Sequence, residues 1–279
     1  MKAINEAEYP KQYIDVDGVK TCYIEAGEGE PLILIHGGGA GANGYGNWFT
    51  TLSLFAKNFR TIAVDMLGFG LTDSPDPADC DYSQKARYDH IAGFIKAMGF
   101  EKANLVGNSM GGATAMGVAI EYPELCDKLV LMGSAGLNTE INEALGPVLG
   151  YDYTKEGMIR LIEVLTNDSF EITQEMVDYR HGNSIDPTNK VSYDATMNWV
   201  RGQGGLYYEE DFIARVQQKT LVVNGKDDEV VPLISAHRFL ELIDNSWGYI
   251  VPHCGHWAMI EYPEDFAGAV SAFLLTHQS

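Results

Sequence analysis

Short, nearly continuous apolar runs recur along the chain: PLILIHG at 31–37, RTIAVDMLG at 60–68, ANLVGN at 103–108, KLVLMGS at 128–134 and TLVVNG at 220–225. They are rich in β-branched residues, as strands buried on both faces of a parallel sheet must be. Helical patterns such as SQKARYDHIAGFIKAMGF (83–100) separate them. That alternation predicts the α/β class, with helices packed on a mostly parallel sheet. Ahead of it, QYIDVDGVKTCYIEAG (12–27) alternates apolar and polar residues about Asp17-Gly18, so an antiparallel hairpin opens the fold.

The rhythm stops between Gly136 and about Asp211. Amphipathic pieces, TKEGMIRLIEVLTND and TQEMVDYRHGN, take over, joined by IDPTNK and RGQGG. The expected organisation is a core of residues 1–135 and 212–279 with a helical lid, 136–211, covering one end of the sheet. The polar start, MKAINEAEYPKQ, has no secretory-type apolar stretch. No run approaches the roughly 20 apolar residues that span a bilayer. A cytoplasmic protein without membrane contact is expected.

A net charge of −20 argues against nucleic acid, whose phosphates such a protein would repel. It also means that any anionic substrate needs a local positive group. The four cysteines (Cys22, Cys80, Cys126, Cys254) are scattered without Cys-x-x-Cys spacing and read as buried free thiols. With no ligand cluster, neither a metal nor an organic cofactor is expected.

Against that frame, Gly107-Asn108-Ser109-Met110-Gly111 matches G-x-S-x-G between a predicted strand and a helix-like segment, the context in which that serine is a nucleophile. Small residues permit the tight turn, and the following helix N-terminus aims amide N–H groups at developing negative charge. NGKDDEVVP supplies Asp228 after one strand, and VPHCGHWAMIEYP supplies His256 after the last. The order Ser, Asp, His belongs to hydrolases of this sheet type, with Asp228 orienting His256 and His256 taking the proton of Ser109. Asp227 is the rival acid and reads as a solvated turn carboxylate. His253 is the rival base and reads as a loop hydrogen-bonding residue. His90, His181, His237 and His277 read as surface or loop residues. The glycine-rich HGGGAGANGYGNW (36–48) fits neither phosphate-loop pattern. It reads as an oxyanion loop completed by the amide of Met110.

These residues together resemble the α/β-hydrolase superfamily over essentially the whole chain. LIHGGGAGANGYGNW, GNSMGG, GKDDEVVP and CGHWAMIEYPEDF more narrowly resemble the meta-cleavage product hydrolases. That family hydrolyses a carbon–carbon bond in 2-hydroxy-6-oxo-hexa-2,4-dienoates. The resemblance implies a triad of Ser109, Asp228 and His256, and oxyanion amides from Gly38 and Met110. It implies that Asn47, Asn108, Arg180 and Trp257 hold the carboxylate and oxo end of a small anionic dienoate. It further implies a keto tautomer, attack on the distal ketone, and release of 2-hydroxypenta-2,4-dienoate and a carboxylic acid.

The residues around Arg180 speak to the same point. If Thr173 caps a helix with Ile172 and Val177 as its staple, Arg180 falls on the apolar side with Met176 and Val177. Gln174, Glu175 and Asp178 face the other way. A cation there needs a partner: the substrate carboxylate, a protein carboxylate, or water reached by snorkelling. A carboxylesterase using the same triad is the rival enzyme, and a ligand receptor on the same fold the rival from another class. Leu145, Val148, Leu149, Leu161, Leu165, Met197 and Trp199 are available to line an apolar pocket for an alkyl or an aryl substituent, both left open. Direct serine attack and water activated by His256 also stay open. Exposed lid residues would permit a homodimer or higher homo-oligomer.

Overall fold

The computed structural model describes residues 4–276. Its main sheet has eight strands in the order β1-β2-β4-β3-β5-β6-β9-β10. They are β1 Gln12–Val16, β2 Val19–Ala26, β3 Pro31–Ile35, β4 Arg60–Val64, β5 Ala103–Asn108, β6 Cys126–Met132, β9 Lys219–Gly225 and β10 Ser246–Val251, with a two-residue ribbon of β7 Leu137–Asn138 and β8 Leu206–Tyr207 outside the sheet. From β4 to β10 all neighbours are parallel, and only β1 and β2 run antiparallel to theirs. Asp17 and Gly18 turn the hairpin with φ of 52° and 88°, the left-handed pair that a two-residue type I′ connection requires. Leu32 to Ile35 and Leu129 to Met132 have no solvent exposure, which is why their sequences do not alternate.

Several strands end earlier than the apolar runs. The chain leaves the sheet after Ile35, Val64 and Met132, and residues 36–37, 65–68 and 133–134 form loops at the strand ends. From β3 the sheet grows to β4 on one side and to β5 on the other. The carboxyl ends of β3 and β5 therefore flank a topological switch point, where an open α/β sheet leaves a crevice.

Between β6 and β9 the chain is mainly helical. In Lys155–Leu165 the Thr154 hydroxyl accepts from the Gly157 N–H (2.9 Å), and Met158, Leu161, Ile162 and Leu165 are buried at helical spacing. The Thr173 cap accepts from Met176 N at 3.2 Å and opens Gln174–Ser184. Helix Pro187–Gln203 begins inside IDPTNK, which sequence reading took as a connector. Asp186 accepts from the N–H groups of Thr188 and Asn189, and Pro187 occupies the first helical position, so the same residues punctuate one helix and start the next. The ribbon pinches the neck of the segment, pairing Leu137 with Tyr207 and Asn138 with Leu206.

His90 departs from expectation. It is buried on the inner side of helix Gln84–Ala97, 2.8 Å from the Thr21 hydroxyl, because its neighbours Ile91 and Phe94 carry that face into the core. His277 lies outside the described residues. Cys22, Cys126 and Cys254 are buried free thiols, and Cys80 is half-buried. Among the described residues no helix is long and apolar enough to cross a membrane, and no group of three or more His, Cys, Asp or Glu is placed to hold a metal.

Candidate active site

Ser109 stands between β5 and helix Met110–Glu121 with φ 55° and ψ −120°. A non-glycine residue in that region is strained by about 1–3 kcal/mol and persists only when its surroundings over-determine it. Here Ser109 N donates to Met132 O (3.1 Å), while Ser109 O accepts from Gly112 N (2.9 Å) and Ala135 N (3.1 Å). The turn is pinned to both the following helix and β6. Gly111 is required by close approach, since a Cβ there would lie 2.3 Å from Ile35 O and 2.4 Å from His36 O.

The loop after β3 faces this turn. A Cβ on Gly38 would lie 2.5 Å from Met110 Cε, so Gly38 and Met110 are neighbours. Met110 is the first helical residue, and its N–H is one of those a helix start leaves without an internal partner. The loop is anchored from behind by two residues that sequence reading did not single out. His36 is fully buried; its Nδ1–H donates to Gly37 O (2.7 Å) and its Nε2 accepts from Met66 N (3.0 Å). Burial, with a smaller contribution from nearby Arg180, pushes its pKa down to about 4 and keeps it neutral. The Asp65 carboxylate accepts from Gly44 N (2.7 Å) and Leu71 N (2.9 Å), and burial raises its pKa to about 6. The signals were the histidine opening HGGG and the aspartate of AVDMLG.

Asp228 and His256 meet across the ends of β9 and β10. His256 Nδ1 lies 2.7 Å from Asp228 Oδ2, and both side chains are essentially without exposure. Asp228 Oδ1 accepts from Val230 N (2.9 Å) and Val231 N (2.8 Å). A carboxylate oxygen only accepts, so the Nδ1 that faces Asp228 Oδ2 carries the proton and Nε2 is the basic nitrogen. Asp227 is exposed and its Oδ2 accepts from the Asn167 side chain at 3.1 Å, away from this pair. His253 is exposed, with φ 53°.

Ser109, Met110, Gly38, His256, Asn47, Asn108, Arg180 and Trp257 line one cleft of about 750 Å³, open space at its mouth included. Asp228 sits behind His256. Asn47 comes from the short helix Gly44–Trp48; its Nδ2 donates to Asn108 Oδ1 (3.1 Å), whose own Nδ2 donates to Met132 O (3.2 Å). Arg180 projects from Gln174–Ser184 on the face of Met176 and Val177 and is 3% exposed. Its guanidinium carbon is 4.7 Å from the centre of the Trp257 ring, and Nη2 donates to Ala40 O (3.2 Å). Nε and Nη1 are buried with no hydrogen-bond partner. Among the described residues no carboxylate forms an ion pair with it. Burial lowers its pKa to about 10, which leaves it cationic at neutral pH. Gly41, at φ 68°, lets the loop run against this helix, since a Cβ there would lie 2.1 Å from Arg180 O.

Away from Arg180 the cleft is mainly apolar. Leu145, Val148, Leu149, Leu165 and Met197 line it, as their sequence positions allowed. Leu161 is instead fully buried, its Cδ2 close to Gly39 of the glycine-rich loop, and Trp199 lies against Arg87, 5.5 Å from its guanidinium. Asn138, Val200, Leu206, Val230 and Val231 also line the cleft and carried no local sequence signal.

The family model described as alpha/beta hydrolase fold matches residues 30–263. The 2-hydroxy-6-oxo-6-(2'-aminophenyl)hexa-2,4-dienoic acid hydrolase of Metapseudomonas resinovorans is 54% identical, over 97% of this chain and 92% of that protein. A solved serine hydrolase involved in carbazole degradation superposes with a TM-score of 0.89 at 53% identity, over 96% of this chain and 99% of the other. The meta-cleavage product hydrolase from Pseudomonas fluorescens IP01 gives a TM-score of 0.90 at 36% identity, over 98% and 100%.

Proposed function

The chain belongs to the alpha/beta hydrolase family and, within it, to the meta-cleavage product hydrolases, and from that premise we propose how its own residues carry the reaction. It is an enzyme that hydrolyses a carbon–carbon bond in 2-hydroxy-6-oxo-hexa-2,4-dienoates. Our reading assigns Ser109 as nucleophile, His256 as the base that also returns the proton, and Asp228 as the group that holds His256 in its tautomer. Gly38 and Met110 supply the oxyanion amides. Arg180, with Asn47, Asn108 and Trp257, receives the carboxylate and 2-oxo end. Residues 136–211 act as a lid over the cleft.

The observation that carries this reading is Arg180. A buried cation with two unpartnered nitrogens, in the same cleft as Ser109 and His256, is costly in the empty protein and favourable once a carboxylate arrives. A plain esterase has no use for it. It also answers how a protein of net charge −20 binds an anion: the positive site is local and desolvated.

Carbon–carbon hydrolysis needs somewhere for the leaving electron pair to go. In the keto tautomer, breaking the bond between C5 and C6 sends that pair toward the 2-oxo carboxylate end. A fixed Arg180 cation stabilises the charge that gathers there. Ser109 Oγ attacks C6 while His256 takes its proton, and the oxyanion forms against Gly38 and Met110. The pair runs through C4 and C3 onto the C2 oxygen, and the proton taken up by His256 ends there, C5 keeping its two hydrogens, as 2-hydroxypenta-2,4-dienoate departs. Water activated by His256 hydrolyses the remaining acyl-enzyme to a carboxylic acid. The mainly apolar distal half of the cleft supports an aryl ketone, the class named for the 54%-identical relative. The free cysteines favour a reducing cytoplasm as the working compartment.

The test is stopped-flow spectrophotometry with 2-hydroxy-6-oxo-6-phenylhexa-2,4-dienoate and its 6-methyl counterpart. Wild-type protein bleaches the yellow dienolate and releases the pentadienoate; Ser109→Ala does not complete turnover. Retained p-nitrophenyl ester cleavage without bleaching would leave the carboxylesterase reading.

A further inference from the structure

The cleft has a second polar pole. Asn138, in the ribbon strand β7, lines the same cleft as Arg180, whose lining also includes Leu145, Val148, Met197 and Val230. Its Oδ1 is buried with no hydrogen-bond partner. The backbone leaves it little choice: Asn138 is paired with Leu206 across the ribbon, and the Gly205 main chain packs directly on its carbonyl. An orphaned amide oxygen in an apolar lining is destabilising, and any aliphatic residue would avoid the cost. Asparagine there is accounted for when a ligand supplies the missing donor.

We infer that Asn138 is a specificity residue whose carboxamide oxygen accepts a hydrogen bond from an N–H donor carried on the substrate's 6-substituent, an ortho-amino group on an aryl ketone being the class that fits. This rests on the C–C hydrolase reading above and deepens it. The cleft then reads a molecule with an anionic end at Arg180, a ketone near Ser109 and His256, and a donor-bearing ring beyond. That Asn138 lacks a donor excludes a ring carrying only carbon substituents, which leaves Oδ1 unsatisfied, and the 2'-aminophenyl group named for the 54%-identical relative is a donor-bearing ring of this kind. A distal carboxylate would meet an acceptor with no cation beside it.

The experiment compares three 6-aryl dienoates, 2'-aminophenyl, 2'-methylphenyl and phenyl, in wild type and Asn138→Leu, reading kcat/KM. The methyl group matches the amino group in size and lacks its donor. Wild type is expected to prefer amino over methyl by about 10-fold or more. In Asn138→Leu the amino-to-methyl ratio should fall by about the same factor while the phenyl substrate gains, since an unsatisfied oxygen has been replaced by a methyl surface. Comparing ratios between the two proteins cancels the amino group's effect on ketone reactivity. A wild-type ratio near one, or a preference that survives Asn138→Leu, overturns the role of Asn138 and leaves the C–C hydrolase standing. Failure of wild type to bleach any of the three overturns both. Should Asn138→Leu not fold by circular dichroism, Asn138→Ala, which also removes the acceptor, carries the same comparison of ratios.

Discussion

Replacing Arg180 with methionine separates a binding cation from a structural one, because only the structural role predicts a large loss of stability. In the empty protein Arg180 makes one hydrogen bond, Nη2 to Ala40 O at 3.2 Å, and leaves Nε and Nη1 buried without partners. Losing that bond strands the Ala40 carbonyl at a cost of about 1–3 kcal/mol. Removing an unpaired buried cation and filling its volume with an apolar chain against Trp257 returns about 1–4 kcal/mol. The terms nearly cancel, so Arg180→Met should unfold within about 5 °C of wild type.

Activity should move far more. The two unpartnered nitrogens can give a dienoate carboxylate two charge-assisted hydrogen bonds of about 1.5–3 kcal/mol each. Their loss lowers kcat/KM for the dienoate by about 10²- to 10⁴-fold. A small neutral ester has no carboxylate to lose, so p-nitrophenyl acetate cleavage should change by less than about 3-fold, a few tenths of a kcal/mol. Thermal denaturation and the two rate assays are run on the same preparation. A Tm drop of about 10 °C or more, with both activities lost together, would mean that Arg180 holds the fold. A dienoate kcat/KM within about 5-fold of wild type would mean that the carboxylate binds elsewhere.

Three other perturbations test the framework around the site. Asp228→Asn should reduce dienoate turnover by about 10⁴-fold by upsetting the tautomer of His256, whereas Asp227→Asn should stay within about 3-fold; comparable losses would reverse the assignment. Gly111→Ala puts a Cβ 2.3 Å from Ile35 O, so the serine turn must shift, and kcat should fall about 10²-fold with a measurable loss in urea stability. Native His36 takes up a proton only near pH 4, while the unfolded chain does so near 6.5. Its contribution is present above about 6.5 and is lost as pH falls through about 4, up to about 3 kcal/mol. Urea denaturation of His36→Gln across that range should be flatter than wild type by about that amount, and an identical slope would remove His36 from the account.

Much of this arrangement could be read from local pattern. Strands buried on both faces announce themselves by continuity, and Ser109, Asp228 and His256 each follow a strand within a few residues, so their loops are short and their signals local. Arg180 was legible because Thr173 marks the helix start and the period does the rest. Helix Pro187–Gln203 was not read as starting at Asp-Pro, because that pair serves equally as a turn and as an N-terminus. Asn138, Val200 and Leu206 join the cleft only once the ribbon brings the neck of the helical segment beside the loop of Val230 and Val231. No window of sequence contains that contact.

Three of the residues that break local rules bear on the active site. Ser109 sits at positive φ, Arg180 is a buried cation without an anion, and Asn138 holds a buried oxygen without a donor. All three line the same cleft. Consistency across levels is what makes a sequence fold, and local conflicts that persist at a functional site are expected to serve it; other orphaned atoms, such as Trp48 Nε1 and Asn104 Oδ1, lie outside this cleft. A single ligand meets all three: the strained turn presents the serine oxygen to a carbon, a carboxylate partners the guanidinium, and an N–H partners the amide. If the conflicts are a binding device, a non-reactive dienoate analogue carrying the ortho-amino ring should raise Tm of Ser109→Ala more than the analogue lacking its carboxylate or its amine. The two deletions should also cost amounts that add, because Arg180 and Asn138 approach different parts of the molecule with no shared partner. Equal protection by all three analogues would mean that the protein gains only apolar contact from its ligand, and the strain and the orphaned atoms would need another cause.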